Sequence, residues 1–327
     1  MCILERWIII LAQPWFVSFA MGWGFEGHLI TAMIANAFLN QNGRMLIGEI
    51  LGPKALELEQ PFFDAATWAD QIPADSKYSW SCPLHYWNPP DDGCDWVKLA
   101  EDVSSGRAKK SGIIGAIDKF GNQLTDLNGS EREQNEALKF LIHFLSDVNQ
   151  PLHLGKASDK GGNTIVVRPP WDHDFDKGGN PISIPRSTSL HKMWDSHIIQ
   201  FMYSTVGGGK LEWRDLADIL IDEVHSGGFD DYIRPSENLV YHAVSRAEAS
   251  WRLAREKVYV EQGRLINSSD KLSLKYYEES AEVVQQQLVK SGLDIAHILN
   301  SIAQHRLTLR KKKLKKRIFG KNRRTPL

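Results

Sequence analysis

The chain has 327 residues, 42% hydrophobic and 24% charged, an ordinary globular composition with room for one large domain or two small ones. Its net charge of −1 conceals an asymmetry: residues 306 to 324 hold eleven Lys or Arg and no acid, and taking these from the 39 basic residues leaves 28 against 40 acidic, about −12. An acidic body of this kind excludes a protein that grips nucleic acid by bulk positive charge; if it handles phosphates, metal ions have to supply that charge.

Residues 1–22 read as a signal peptide. Trp7 to Ala20 is an apolar run too short to span a bilayer, and Ala20-Met21-Gly22 is a small-x-small cleavage site. Cleavage there implies a secreted protein whose first residue is Trp23. From Gly24 to about Asn40 the apolar residues Leu29, Met33, Ile34, Ala37 and Phe38 recur at helical spacing. Cys2 leaves with the signal, and the remaining pair, Cys82 and Cys94, is expected to form a disulfide, worth roughly 3 kcal/mol for a loop of that size. Asn128 and Asn267 open Asn-x-Ser glycosylation sequons. Glu131 to Val148 has Leu138, Leu141, Ile142 and Leu145 on one helical face. Thr164 to Val167 is the one short β-like run. Helical patterns return over Leu190 to Met202, Leu211 to His225, Ser236 to Val258 and Leu272 to Asn300. The expectation is an all-α fold with a single domain over 23–303, followed by a basic, disordered tail over 304–327.

Two of these helices carry chemistry. His143 and Asp147 lie four apart, hence on one face and about 6 Å apart along the axis. His153 follows Pro151, where the helix must break. His191 and Asp195 repeat the four-residue spacing. One such pair is ordinarily an ion pair or a capped core histidine. Two pairs with His153 between them form a donor set of imidazole and carboxylate that suits zinc.

The run His143-Phe144-Leu145-Ser146-Asp147-Val148-Asn149-Gln150-Pro151-Leu152-His153 resembles the central signature of the S1/P1 nucleases. Six further blocks follow the same order. They are Trp23 to His28, Ala66 to Asp70, Leu84-His85-Tyr86, Gly161-Gly162-Asn163, Leu190 to Asp195, and the closing helix from Ser291 to Asn300. The resemblance implies the helical fold shared by these nucleases and zinc-dependent phospholipase C, with three zinc ions. Asp70, His85, His143 and Asp147 would hold one. Asp147 would bridge to a second, bound also by His28 and by the amine and carbonyl of Trp23. His153, His191 and Asp195 would hold the third. A hydroxide bridging two of the metals would attack phosphorus, Asp70 would orient it or take its proton, and the P–O3′ bond would break to leave 5′-phosphate ends. Tyr86 and Asn88 fall where the family stacks and hydrogen-bonds a nucleobase.

The substrates so implied are single-stranded DNA and RNA and 3′-nucleotides, with no obligate protein partner. Pro73 stands where some relatives have an Arg that reaches phosphate, and the loop 168–189 looks longer than usual. Its Asp172, His173, Asp174 and Asp176 read as a solvated polar loop. The basic tail has no counterpart in the family pattern; beyond a solvated tail, its readings are substrate recruitment or contact with an anionic membrane. The rival functions are a lipid phosphodiesterase of the phospholipase C type and a secreted zinc-binding protein without catalysis.

Overall fold

The helical patterns become helices, and the computed structural model of the chain adds four more. It describes residues 23–108, 111–170, 174–175, 181–182, 187–205, 211–229, 232, 234 and 236–321. In chain order these comprise α1 (Phe25–Phe38), α2 (Gln41–Leu51), α3 (Gln60–Gln71), a 3-10 run (Ser76–Leu84), α4 (Trp96–Ser104), α5 (Gly112–Thr125) and α6 (Glu131–Asp147). A 3-10 turn (Pro151–Leu154) follows. Then α7 (Leu190–Lys192) passes through a π-helical turn (Met193–His197) into α8 (Ile198–Thr205), followed by α9 (Trp213–His225), α10 (Leu239–Leu253) and α11 (Leu274–Lys321). Six two-residue strands are β1 (Val166–Val167), β2 (Asp174–Phe175), β3 (Pro181–Ile182), β4 (Thr188–Ser189), β5 (Val260–Glu261) and β6 (Arg264–Leu265). They pair antiparallel as β1–β4, β2–β3 and β5–β6. The fold is all-α, as expected. The expected β-like run supplies β1.

α6 shows why the site forms where it does. Ser130 caps its start, accepting from the Glu133 amide while the Glu133 side chain returns to the Ser130 amide, so orphan donors at both positions are satisfied. Leu138, Leu141, Ile142 and Leu145 are fully buried, as are Phe140 and Phe144, each worth about 1.5–3 kcal/mol. The helix stops at Asp147, and Pro151, which cannot continue it, opens the turn that carries His153.

Two apolar clusters flank α1 and α11. Leu29, Phe63, Ile117, Phe140, Phe144, Ile295 and Leu299 belong to one. Trp23, Ile30, Trp194, Tyr259, Tyr277 and Leu288 belong to the other. Trp194 donates from its indole to the Tyr276 hydroxyl at 3.0 Å, and that hydroxyl donates to the Val258 carbonyl at 2.6 Å, so both polar groups are satisfied as they are buried.

Two expectations need correction. Cys82 and Cys94 are free thiols, not a disulfide. Cys94 instead packs as a small apolar side chain against the first cluster, and burial raises its pKa. Nor does the chain become disordered at 304: α11 continues to Lys321. Arg306 is buried there, bonding to the Leu124 carbonyl and the Gln134 side chain and pairing with Glu49. The signal segment 1–22, the loop residues Asp172, His173 and Asp176, and residues 322–327 lie outside the described residues.

Candidate metal centre

The eight predicted ligand side chains arrive from seven separate stretches of the chain. His28 sits in α1, Asp70 near the end of α3, His85 just past the 3-10 run, His143 and Asp147 in the last turns of α6, His153 in the turn after it, and His191 in α7. Asp195 lies in the π turn, an element that often marks functional sites. His28, His85, His143, Asp147, His153, His191 and Asp195 are all buried, while Asp70 is 28% exposed. All nine predicted ligand positions come together.

They fall into three groups: His28, His143 and Asp147; Asp70, His85 and His143; and His153, His191 and Asp195. Asp147 joins the first two. Its Oδ1 lies 3.3 Å from His28 Nε2 and 3.3 Å from the Trp23 nitrogen. Its Oδ2 lies 3.1 Å from His143 Nε2 and 3.2 Å from His85 Nδ1. Asp70 Oδ1 is 3.3 Å from His143 Nε2 and 3.5 Å from His85 Nδ1, and its Oδ2 is 3.7 Å from His28 Nε2. In the third group, His191 Nε2 is 3.4 Å from Asp195 Oδ2, and His153 Nε2 is 4.0 Å from Asp195 Oδ1.

These spacings can be tested against an ion. Zinc–donor bonds of about 2.0–2.1 Å at a tetrahedral angle place neighbouring ligand atoms about 3.3 Å apart. The first two groups match this closely, and the third is slightly looser. The hydrogen bonding matches too. His143, His153 and His191 each direct Nδ1 at a carbonyl: Ala66 at 2.7 Å, His85 at 2.7 Å and Gly161 at 2.6 Å. Donating there leaves each Nε2 as a lone pair aimed into its group. Buried His28 Nε2, Asp70 Oδ1, His153 Nε2, His191 Nε2 and Asp195 Oδ2 have no hydrogen-bond partner. Buried polar atoms without partners are costly, so a convergent set of them marks a place made for a cation.

Electrostatics agree at three of the histidines. Burial pushes His28 and His153 below the ordinary histidine pKa and His191 to about 3, which keeps all three in the neutral, ligating form. Burial raises Asp195 well above the carboxylate range, against the hydrogen bond from Gln150. Burial also resists charge on Asp147 and His143, but their mutual attraction wins: Asp147 is held well below its usual range and His143 well above. The chemistry on offer is borderline-soft nitrogen and hard carboxylate oxygen, the donor set of zinc.

The predicted base site lies beside this cluster. Trp87 N–H donates to the His153 carbonyl at 3.0 Å, and the Asn88 amide donates to the Gly155 carbonyl at 3.2 Å, so strand-like contacts tie 87–88 to the ligand turn. Tyr86 is 43% exposed, with its ring free to meet a planar partner. Asn88 keeps its carbonyl oxygen for other work.

Gln150 is a residue whose role the sequence reading left unassigned. It is fully buried, donates to Asp195 Oδ1 and accepts from the Leu152 amide, so one side chain fixes both the third-group carboxylate and the turn of His153. A Gln directly before the helix-breaking Pro151 was the available signal. Gly161 is similarly positioned: its φ of 63° needs glycine, and a Cβ there would sit 2.3 Å from the Leu152 carbonyl. A cavity of roughly 900 Å³ beside Tyr232, His297 and Asn300 touches none of the ligand residues.

Comparison with known proteins agrees with the geometry. The model of the S1/P1 nuclease family matches residues 23–304. Endonuclease 2 of Arabidopsis thaliana is 29% identical over 307 residues, covering 92% of this chain and 96% of its own length. Nuclease S1 of Aspergillus oryzae is 28% identical, covering 86% of this chain and 92% of its own length, and nuclease P1 of Penicillium citrinum is 26% identical, covering 86% and 97%.

Proposed function

The chain belongs to the S1/P1 nuclease family, and on that premise we propose that it is a three-zinc endonuclease for single-stranded DNA and RNA that also removes 3′-phosphates from nucleotides. The observation that carries the reading is the set of three His/Asp groups, two of which share His143 and are spanned by the two carboxylate oxygens of Asp147. Bound zinc would supply positive charge for the phosphodiester and bring the pKa of a water near neutrality.

The chain's own residues do the rest. Asp147 holds two groups in register from one carboxylate. Asp70, at the edge of solvent and facing three imidazoles, orients the attacking water and takes its proton. The backbone nitrogen of Trp23, freed as an amine by removal of residues 1–22, completes the site of His28. Tyr86 stacks on the base next to the scissile phosphate, and the Asn88 oxygen accepts from its edge. Requiring a base to stack on Tyr86 while its phosphate reaches the cluster disfavours duplex, whose base would have to leave its partner at a cost of a few kcal/mol. Breaking P–O3′ leaves a 5′-phosphate. The same reading makes the protein secreted, with glycans on exposed Asn128 and Asn267.

The test is direct. The purified protein is assayed for zinc content and for hydrolysis of single-stranded DNA, RNA, duplex DNA, 3′-AMP and phosphatidylcholine, with and without chelator. Three zinc ions, chelator-sensitive cleavage of single strands and 3′-AMP, and inert lipid are expected. Lipid hydrolysis, or zinc without any hydrolysis, would overturn the proposal.

A further inference from the structure

α11 carries the molecule's second concentration of positive charge, at the end remote from the metal centre. The helix runs antiparallel to α6. Ser291 Oγ donates to the Ser146 carbonyl at 3.3 Å and Asn149 donates to Asp294 at 3.3 Å, near the ligands. Further along, Arg306 meets Gln134, close to the start of α6. Arg310 pairs with Glu49, and Lys313 donates to Asn128 at 3.0 Å. From Asp294 to Leu314 the axis advances about 30 Å.

From Lys311 onward the helix exposes two kinds of surface. Lys311, Lys312, Lys315, Lys316 and Arg317 are exposed, and among the described residues no acidic side chain pairs with them. Leu314 is 58% exposed and Ile318 52%. Spacings of four, seven and four put Ala303, Leu307, Leu314 and Ile318 on one line of the helix. That line is buried at Ala303, half-buried at Leu307 and open to solvent at Leu314 and Ile318. An apolar stripe thus runs off the body while basic side chains cover the other faces. The body itself is acidic, so its own surface has little to offer as a partner for the stripe.

A nucleic-acid strand would reward the lysines and leave Leu314 and Ile318 in water. It would also be held about 30 Å from the ligand cluster, with the length of α6 between. Anionic headgroups over acyl chains take both: the apolar pair enters the interface, and the lysine and arginine stems extend to the phosphates. We propose that Leu307–Lys321 is an interfacial anchor for anionic phospholipid surfaces that holds the metal-binding end of the molecule away from the bilayer.

The experiment is vesicle flotation of the full chain, using phosphatidylcholine alone and phosphatidylcholine with phosphatidylglycerol, at low and high salt. Binding is expected only with phosphatidylglycerol, weakening as salt rises. Leu314→Asp/Ile318→Asp and the quadruple reversal Lys311→Glu/Lys312→Glu/Lys315→Glu/Lys316→Glu should each lower vesicle affinity by at least about tenfold. Both variants should keep their helical circular dichroism and their hydrolysis of 3′-AMP. Vesicle binding unchanged by the Leu314/Ile318 pair would overturn the proposal. So would failure to bind vesicles alongside tight, lysine-dependent binding of a single-stranded oligonucleotide. Neither readout depends on the nature of the catalytic reaction.

Discussion

Adding one glycine before Trp23 should break the centre from a distance of a single residue. The Trp23 nitrogen lies 3.3 Å from Asp147 Oδ1, the separation of neighbouring ligands on one ion. Trp23 itself is immobilised. Its ring is fully buried, and its indole donates to the Ser146 carbonyl at 3.1 Å. Gly27 packs so closely that a Cβ there would meet Trp23 Cβ at 2.9 Å. The nitrogen therefore cannot swing aside for a substitute. As an α-amine with a pKa of about 7.7–8.0 it can give up a proton to a metal near neutral pH; as a peptide nitrogen it has no lone pair to offer. Losing even an outer-shell partner costs about 10–100-fold in metal affinity, so losing a direct ligand should cost at least that, roughly 1.4–2.7 kcal/mol. The assay compares zinc content and 3′-AMP hydrolysis for proteins beginning at Trp23 and at Gly-Trp23. The expected result is a metal count falling from three towards two, with activity falling in parallel. Full occupancy and full activity in the extended protein would refute the N-terminal ligand.

Further perturbations probe the rest. Asp147→Asn weakens two groups at once and should lower activity by about 10²–10⁴-fold, taking 10–100-fold for each, with the fold retained by circular dichroism; near-normal turnover would sink the bridging role. Tyr86→Ala should raise KM for a dinucleotide by about one stacking contact, roughly 1–3 kcal/mol, and leave kcat on 3′-AMP less affected. His242, buried against Asp294 with Arg246 and His297 nearby, is pushed by burial to about 4. Its folded form binds fewer protons than the unfolded chain between about pH 6.5 and 4, so its contribution is whole above that window and lost as pH falls through it, by about 3 kcal/mol in total. Denaturant titrations of the wild type and His242→Gln should therefore diverge in that range, and parallel curves would show that the histidine is not buried neutral. Arg306→Ala leaves the Leu124 carbonyl and Gln134 without their partner and should cost about 1–3 kcal/mol of stability by thermal denaturation; a truncation at 304 should cost at least as much.

The His and Asp side chains that gather into three groups were legible in the sequence and much of the helical scaffold was not, for identifiable reasons. His143, Asp147 and His153 are close in sequence, and the family's ordered blocks supplied the rest of the ligands. α2 and α5 were missed because glycines interrupt their apolar period: Gly43 and Gly48 in one, Gly112, Gly115 and Gly121 in the other. Gly121 is required by packing, since a Cβ there would meet Leu239 at 2.1 Å, so tertiary contact overrode local propensity. α3 opens on Gln60-Pro61, which reads as a turn until Pro is recognised at the first helical turn. The tail misled in the opposite direction. Its charge reads as disorder, but Arg306 finds a carbonyl, an amide and a carboxylate in the body, and the helix is carried onward from that anchor. The disulfide failed because a count of two cysteines says nothing about where their side chains point.

How an acidic body can be built to work on an anionic polymer follows from where its helices end. α3 and α6 both terminate at the cluster, with Asp70 and Asp147 in their last turns. A helix C-terminus carries about half a negative charge, so two of them converge with three carboxylates on one small volume. Burial makes that arrangement unfavourable by itself, as the raised pKa of Asp195 records. On the proposed reading dications would reverse the balance: three would bring six positive charges against three carboxylates and make the pocket positive within an acidic body. Positive charge would then concentrate at the metal centre, at one end of α6, and at the lysine-rich end of α11, at the other. An acidic body between them disfavours wrapping of a strand, which on the proposed reading favours short, single-stranded engagement at the metal centre. Neutralising exposed acids of α9, such as Asp218 and Asp222, should therefore slow product release by giving strands somewhere else to rest. The observable is tighter product inhibition by an oligonucleotide at low salt, vanishing as salt rises; unchanged inhibition would show that the body's charge plays no part in turnover.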